Sequence, residues 1–368
     1  MHDDLNVRAA LELARRAIGL TEPNPRVGCV IVAADGRILG QGHTQPAGQA
    51  HAEIMALRDA AARGEDVRGA TACVTLEPCA HHGRTGPCCD ALAAAGIARV
   101  VASLTDPNPL VAGQGFARLR AAGVAVETGP GAAESRELNI GFFSRMVRGR
   151  PWVRMKIAAS LDGQTALANG RSQWITGEAA RADGHGWRAR AGALLTGIGT
   201  VLEDDPRLDV RLAPVGRQPP LVVVDSRLQT PPGAALFGVP QRPVWIYAAE
   251  AHPDAQAALE ARGAHVTRLP GPGGKVDLAA LLQDLAGRGV NELHVESGFK
   301  LNGSLLREGL VDEFLVYLAP TLLGSGRGMV NLGPLEDLAQ GVPLEFGPIE
   351  RVGTDLRLLA RVAGRGDF

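Results

Sequence analysis

Several classes of protein are excluded by what this sequence lacks. Aromatic residues make up only 4% of it, so its cores must be built from Ala, Val, Leu and Ile. Neither sign of charge prevails: 38 Lys and Arg face 39 Asp and Glu, for a formal net charge of −1. Proteins that grip duplex DNA or long RNA through phosphates carry a basic excess. No nucleic-acid partner is therefore expected, while a small phosphorylated ligand stays open. No run approaches the ~20 consecutive apolar residues of a membrane span, so no membrane partner is expected. The opening MHDDLNVRAALELARRAIGL starts with acids and has no apolar h-region. A signal peptide is not expected there, and a cytoplasmic address is. The cysteines are few and odd in number: Cys29, Cys73, Cys79, Cys88 and Cys89. In a reducing compartment that makes metal binding or catalysis a better reading than a disulfide framework. Internal repeats and low-complexity tracts are also missing.

What is present fits two domains of ordinary size, 368 residues with 45% hydrophobic content. Residues 5–18 have helical spacing, and VGCVIVAADGRILGQG reads as a hairpin about Asp35-Gly36. AHAEIMALRDAAARG is a short helix closed by Gly64. TACVTL (71–76), ARVVAS (98–103) and VAVET are strands, alternating with the helices CDALAAAG and FARLRAAG. This alternation predicts a three-layer α/β domain over residues 1–146. The basic, Gly- and Pro-bearing RMVRGRP (145–151) has no apolar periodicity and reads as the boundary. A second α/β pattern over 150–368 opens with WVRMKIAAS. Its further strands are ALLTG (193–197), LVVVDS (221–226), VWIYAA (244–249), ELHVES (292–297) and DEFLVYLAP (312–320). RVGTDLRLLARV alternates like an edge strand or hairpin, and the Pro-rich 213–220 and 230–243 read as surface loops.

Three cysteines, two histidines and an arginine crowd into LEPCAHHGRTGPCCD (76–90). Upstream stands His51-Ala52-Glu53. With Pro78-Cys79 and Cys88, these residues resemble the zinc-deaminase signature H-x-E…P-C-x-x-C, except that eight residues separate the cysteines. One imidazole and two thiolates give Zn²⁺ three ligands and leave a fourth position for water. Such a set carries roughly zero net charge, so the metal alone acidifies its water less than it would among three imidazoles. A carboxylate is then needed to take the proton, and Glu53 can do so. Residues two apart do not share a helix face, so His51 must sit at the helix start. A bare HxE is more often a solvated helix start. A structural zinc would need a fourth ligand, from Cys73, Cys89, His81 or His82. Cys73 reads as a strand-interior core residue, and Cys89 is turned about 100° from Cys88.

PNPRVG, HAE, TLEPCAHHGRTGPCCD and DPNPLVAGQG together resemble the deaminase half of the bifunctional riboflavin-biosynthesis deaminase/reductases. The similarity continues through KIAASLDGQTA, SQWITG, TVLEDDPRLDVR, VVVDS and VESG, nearly the whole chain. It implies a cytidine-deaminase-like N-terminal domain and a dihydrofolate-reductase-like C-terminal one. It also implies two reactions on a small phosphorylated pyrimidine, in a homo-oligomer. The 2-amino group of a diaminopyrimidinone ribosylamino phosphate is hydrolysed, then NADPH reduces the ribosyl side chain to ribityl. By the resemblance, His51, Cys79 and Cys88 hold zinc and Glu53 shuttles protons. Asn24, His43, His81, Arg84, Asp106 and Asn108 then line the deaminase pocket, and Arg84 suits the substrate phosphate. Where family members read TPPC, this chain has Thr85-Gly86-Pro87-Cys88.

The second domain has no GxGxxG between a strand and a helix, since Gly197-Ile198-Gly199 continues as Thr-Val-Leu. HVESGFKLNGSLLREG reads as strand, Gly-bearing turn and a helix from about Leu301, whose free N–H groups suit a pyrophosphate. The resemblance turns Ala158, Trp174, Thr200, Asp204, Ser226 and Gly298, Phe299, Lys300, Leu301, Asn302, Gly303 and Ser304 toward NADPH. It turns Ser172, Arg188, Leu208, Arg211 and Glu296 toward the substrate, with Lys156 serving either. Asp204 reads equally as a cap in LEDDP. Ser226 and Arg227, after the strand LVVVD, could hold the ribose 2′-phosphate, the alternative being that Arg227 simply lies solvated in a loop.

Overall fold

The computed structural model describes residues 2–80, 86–109 and 111–368. The chain divides into two compact units, one ending at Gly149 and the other running from Arg150 to Phe368.

The first unit runs α1 (His2–Arg15), β1 (Gly28–Val32), β2 (Ile38–His43), α2 (Ala52–Ala62), β3 (Thr71–Val74), α3 (Cys88–Ala94), β4 (Arg99–Ala102), α4 (Gln114–Ala121), β5 (Ala125–Thr128), α5 (Ala132–Leu138) and α6 (Ile140–Arg148). Its sheet has the order β2-β1-β3-β4-β5. β1 is antiparallel to β2 and β3, and β3, β4 and β5 are parallel. Small residues set how closely the helices approach. A Cβ on Gly28 would lie 1.8 Å from the Ala10 carbonyl of α1, and one on Gly40 would lie 2.2 Å from the Ala56 carbonyl of α2. Gly40 and Gly42 pair with Ile31 and Cys29, the alternation opposite to Gly28. Thus α1 and α2 cover opposite faces, and the unit has three layers. Cys73 packs with Val7, Leu11 and Val101 on the α1 side, as a core residue.

The second unit contains β6 (Trp152–Ser160), β7 (Gln164–Leu167), α7 (Glu178–Arg190), β8 (Ala193–Gly197), α8 (Ile198–Asp204), β9 (Leu221–Val224), β10 (Val244–Ala248), α9 (Pro253–Glu260), β11 (Ala264–Arg268), α10 (Leu278–Gly287), β12 (Glu292–Val295), α11 (Phe299–Arg307), β13 (Glu313–Ala319), β14 (Gly326–Gly328), β15 (Leu344–Val352) and β16 (Asp355–Val362). Nine strands form one sheet in the order β11-β10-β9-β8-β12-β6-β13-β16-β15. The seven from β11 to β13 are parallel, and the β15–β16 hairpin closes one edge antiparallel. ALLTG is buried throughout and LVVV in its first three residues, as expected of parallel strands covered on both faces. The small ribbon β7–β14 stands apart from the sheet.

Three segments differ from the sequence reading. Residues 145–148 are the last turn of α6, whose Ile140, Phe142 and Phe143 are buried; the helix ends at Gly149, which takes the left-handed conformation. The Pro-rich 230–243 is partly core: Leu236 is fully buried, and buried Arg242 donates to the carbonyls of Leu208 (2.7 Å) and Leu236 (2.6 Å). The last βα turn starts its helix at Phe299, two residues early, because Gly298 serves as the N-cap. Among the described residues, no helix is long and apolar enough to cross a membrane.

Candidate functional site

In the first unit, one end of the sheet gathers the candidate residues. Gly28 at the start of β1 pairs with His43 at the end of β2, and Val74 of β3 pairs with Ala102 of β4. Asn24, His43, the turn carrying Cys79, and Asp106-Pro107-Asn108 all issue from that end. The Asn24 loop is fastened from behind. Asn139 accepts the Arg26 N–H at 2.7 Å and returns a hydrogen bond to the Arg26 carbonyl, and Arg145 donates to the Pro23 carbonyl at 2.9 Å.

His51 is the N-cap of α2, in extended conformation, so Glu53 two residues on lies in the first turn. The imidazole Nδ1 stands 3.5 Å from the Cys79 sulfur and 3.4 Å from that of Cys88. All three donor atoms lie within 4.8 Å of one another. Zn–S near 2.3 Å and Zn–N near 2.05 Å at a tetrahedral angle place N and S about 3.6 Å apart. The donor set therefore fits zinc in both chemistry and spacing. The Cys88 N–H also points at the Cys79 sulfur, at 3.4 Å. The hydrogen bond from Cys88 draws the Cys79 thiol well below its ordinary range, toward the thiolate form that a metal requires. Cys89 turns away toward Asp90, 3.4 Å from its carboxylate. Cys73 faces α1 on the other side of the sheet, so neither can join this group.

Glu53 is 3% exposed. Burial, then the charge at Cys79, pushes its carboxyl up to about 7, poised between proton donor and acceptor. Asp106 is raised to about 6, mainly by burial, and its carboxylate accepts the Asn108 N–H at 2.8 Å. Burial lowers His43, and the charge of Arg16 lowers it further. His81 and Arg84 lie outside the described residues.

The second unit has a cavity of about 650 Å³. It brings together Lys156 and Ala158 of β6, Ser172 and Trp174 of the following loop, Arg188 of α7, and Thr200 and Asp204 of α8. Leu208, Arg211, Glu296, Gly298, Phe299 and Asn302 complete the expected set in its lining. Ser226, Lys300, Leu301, Gly303 and Ser304 are not in that lining. Ser226 accepts the Val276 N–H at 3.3 Å, and Arg227 pairs with Glu250 at 3.3 Å. Leu301 packs on the core, and Gly303 abuts Asn331, whose carbonyl would lie 2.1 Å from an added Cβ. Trp174 is 66% exposed, with the Arg181 guanidinium 4.7 Å from its ring.

Charge organises the cavity. Arg188 grips both oxygens of Glu296, and Lys156 approaches the same carboxylate at 3.6 Å. Arg207 and Arg211 hold Asp209 at 3.2 and 2.7 Å. Burial and the nearby Arg188 and Arg211 lower His185 to about 4, so it is neutral at pH 7. Six cations, Lys156, Arg181, Arg188, Arg207, Arg211 and Arg327, line the cavity against the carboxylates Glu203, Asp204 and Glu296 and the adjoining Asp209, six against four, leaving two positive charges. Sequence reasoning missed Arg207, Asp209 and Tyr317. The first two were legible as the charge cluster Arg207-Leu-Asp209-Val-Arg211, although Leu208 takes a left-handed φ of 49° and the segment is no strand.

The fold and these two sites define a chain that joins a cytidine-deaminase-like zinc domain to a dihydrofolate-reductase-like domain. Comparisons with known proteins are specific on the point. Residues 1–104 match the cytidine and deoxycytidylate deaminase zinc-binding region, and residues 151–358 match the RibD C-terminal domain. The riboflavin biosynthesis protein RibD of Escherichia coli is 46% identical, over 97% of this chain and 99% of its own length. That of Aquifex aeolicus is 39% identical over 95% and 96%. The solved structure of Acinetobacter baumannii RibD superposes with a TM-score of 0.87, at 41% identity and 98% coverage of each chain. The Thermotoga maritima diaminohydroxyphosphoribosylaminopyrimidine deaminase/5-amino-6-(5-phosphoribosylamino)uracil reductase does so at 0.86, with 32% identity over 98% of this chain and 99% of that one. The chain belongs to the RibD family of riboflavin biosynthesis proteins.

Proposed function

We propose that this chain performs both reactions of its family on one small phosphorylated pyrimidine. The first unit hydrolyses the 2-amino group of the diaminopyrimidinone ribosylamino phosphate. The second reduces the ribosyl side chain of the deaminated product to ribityl with NADPH. The observation that carries the reading is the convergence of His51, Cys79 and Cys88 beside the buried carboxyl of Glu53.

His51, Cys79 and Cys88 would hold zinc, which when bound would supply Lewis acidity to a water molecule. Glu53, buried beside the ligand set, takes the proton of the attacking water and passes it to the departing amino group. Asn24, His43, Asp106 and Asn108 orient the pyrimidine at the same end of the sheet, with His81 and Arg84 joining from the neighbouring segment.

NADPH, when bound, supplies the hydride. Gly298 and the N-terminus of α11, with Thr200 beside them, offer backbone N–H groups to its pyrophosphate. Ala158, Trp174, Asp204, Phe299 and Asn302 complete the cofactor side. Arg188 and Arg211 suit a phosphate dianion, given the two uncompensated positive charges around them. Ser172, Leu208, Glu296 and Lys156 hold the rest of the substrate. We further assign the chain to the cytoplasm as a homo-oligomer without a nucleic-acid partner, readings supported by its composition and by the family.

The test follows ammonia release and NADPH oxidation together. Glu53→Gln should keep zinc and lose ammonia release, because an amide cannot carry the proton. It should still oxidise NADPH when given the deaminated intermediate. Loss of both activities in a zinc-loaded, folded variant would refute two separate sites.

A further inference from the structure

We propose that Glu77 is a positioning residue for the deamination: it ties the loop bearing Asp106 and Asn108 to the turn that delivers Cys79. The inference rests on the deaminase reading above and concerns how its substrate side is kept in register with its metal side.

Glu77 lies between β3 and Pro78-Cys79 and is 4% exposed. Each of its carboxylate oxygens accepts two backbone N–H groups. Oε2 receives Asp106 at 3.1 Å and Gly113 at 2.9 Å; Oε1 receives Gly115 at 2.9 Å and Phe116 at 3.3 Å. Asp106 opens the substrate loop, while Gly113 is the N-cap of α4 and Gly115 and Phe116 lie in its first turn. One side chain therefore joins three separate segments, and the helix start favours its negative charge.

The chemistry demands a carboxylate, since only that group presents acceptors on both terminal atoms. A glutamine would turn an NH₂ group toward two of the four N–H donors. The packing is equally demanding, because a Cβ on Gly115 would lie 2.0 Å from the Pro78 carbonyl, one residue from Cys79. Asp106 passes the constraint onward by accepting the Asn108 N–H at 2.8 Å. Displacing α4 and the loop would thus move substrate contacts, while His51 and Cys88, held by α2 and α3, stay in place.

The experiment compares Glu77→Gln, Glu77→Asp, Asp106→Asn and the Glu77→Gln/Asp106→Asn double variant. Zinc per chain, kcat and KM for ammonia release, and calorimetric affinity for the deaminated product are read for each. Glu77→Gln should retain zinc, raise KM roughly tenfold or more, weaken product binding by a similar factor and change kcat less. Glu77→Asp, which keeps both acceptors on a shorter stem, should recover part of that loss. The double variant should lose less than the two single losses combined, because both act on one loop. Loss of zinc, loss of kcat at unchanged KM, or full additivity with Asp106→Asn would each overturn the proposal. If Glu77→Gln does not accumulate as folded protein, Gly115→Ala pushes the same helix from Pro78 and should raise KM at full zinc; an unchanged KM there would equally overturn it. Failure of the deaminase reading itself is distinguishable, since the unmodified chain would then release no ammonia.

Discussion

Replacing Arg188 by Met strands a carboxylate inside the second unit. Arg188 donates to both oxygens of Glu296, from Nη2 at 2.9 Å and from Nε, and the two side chains are 15% and 13% exposed. Removing one partner of such a pair costs ~3–5 kcal/mol, because the other charge remains buried without compensation. Lys156 persists at 3.6 Å from Glu296, which places the expected loss at the low end, about 3 kcal/mol. A unit of roughly 220 residues loses about 2–4 °C of Tm per kcal/mol, so Arg188→Met should lower the transition by about 6–12 °C. Circular dichroism against temperature and urea reads this directly. Adding Glu296→Gln removes the stranded charge, and the double variant should be more stable than Arg188→Met alone. The pH dependence supplies a second check. Burial alone would raise the Glu296 pKa, but the charges of Arg188 and Lys156 outweigh it and hold the group well below the usual carboxylate range. A depressed acid contributes stability that is present above its unfolded pKa of about 4.3 and lost as pH falls through the folded value. In Arg188→Met the folded pKa rises, so the deficit relative to the unmodified chain should shrink as pH falls from 7 toward 4. A deficit that is flat with pH, together with a double variant as unstable as the two single losses combined, would refute the stranded-charge argument.

Two other outcomes follow from the sites. Cys88→Ser should lose bound zinc and ammonia release, whereas Cys89→Ser, whose sulfur faces Asp90, should keep both; metal analysis giving the reverse pattern would reassign the ligands. Arg227→Ala should raise the KM for NADPH about ten- to a hundredfold and leave NADH use nearly unchanged if Arg227 holds the 2′-phosphate. Arg227 is exposed and paired only loosely, with Glu250 at 3.3 Å, so it is available to a ligand; equal effects on both cofactors would put that phosphate elsewhere.

What was legible in the sequence was legible for local reasons. His51 and Glu53 are two residues apart, and two such side chains can converge only where a helix begins, which is where the structure has them. Cys73 is a strand-interior residue that faces α1, packed with Val7 and Leu11, so its exclusion from the metal group follows from strand period. The reductase cavity is different. It draws on β6, the loop after β7, α7, α8 and the start of α11, whose residues lie more than a hundred positions apart, and no local period encodes that meeting. Resemblance to relatives located it, while Arg207 and Asp209 entered only once the chain was folded. Glu77 is harder still. Its partners are backbone N–H groups 29 to 39 residues away, and a backbone donor leaves no mark on residue type except where glycine is needed, as at Gly115. The last turn of α6 was obscured because two of its four residues, Arg145 and Arg148, are basic, while the apolar residues that bury the helix come earlier, at Ile140, Phe142 and Phe143.

The two sites also handle buried charge in opposite ways, and this separates the ligands each can take. Around Glu53 the nearest charged partner that raises its pKa is the thiolate of Cys79, and Asp106 is raised further along the same sheet end. Acids held up by burial and by one another are relieved by a cation, and two thiolates with an imidazole choose a borderline-soft one such as zinc over calcium or magnesium. In the reductase cavity every acid but Asp204 is already answered: Glu296 by Arg188 and Lys156, Asp209 by Arg207 and Arg211, Glu203 by Arg327. What remains there is a positive excess beside neutral His185. A cation would be repelled from that cavity, and a phosphate dianion would be drawn in and held by guanidinium groups already fixed in direction by their carboxylates. The metal is therefore drawn to the first unit and turned away from the reductase cavity by electrostatics, before any contact specific to the pyrimidine ring is made.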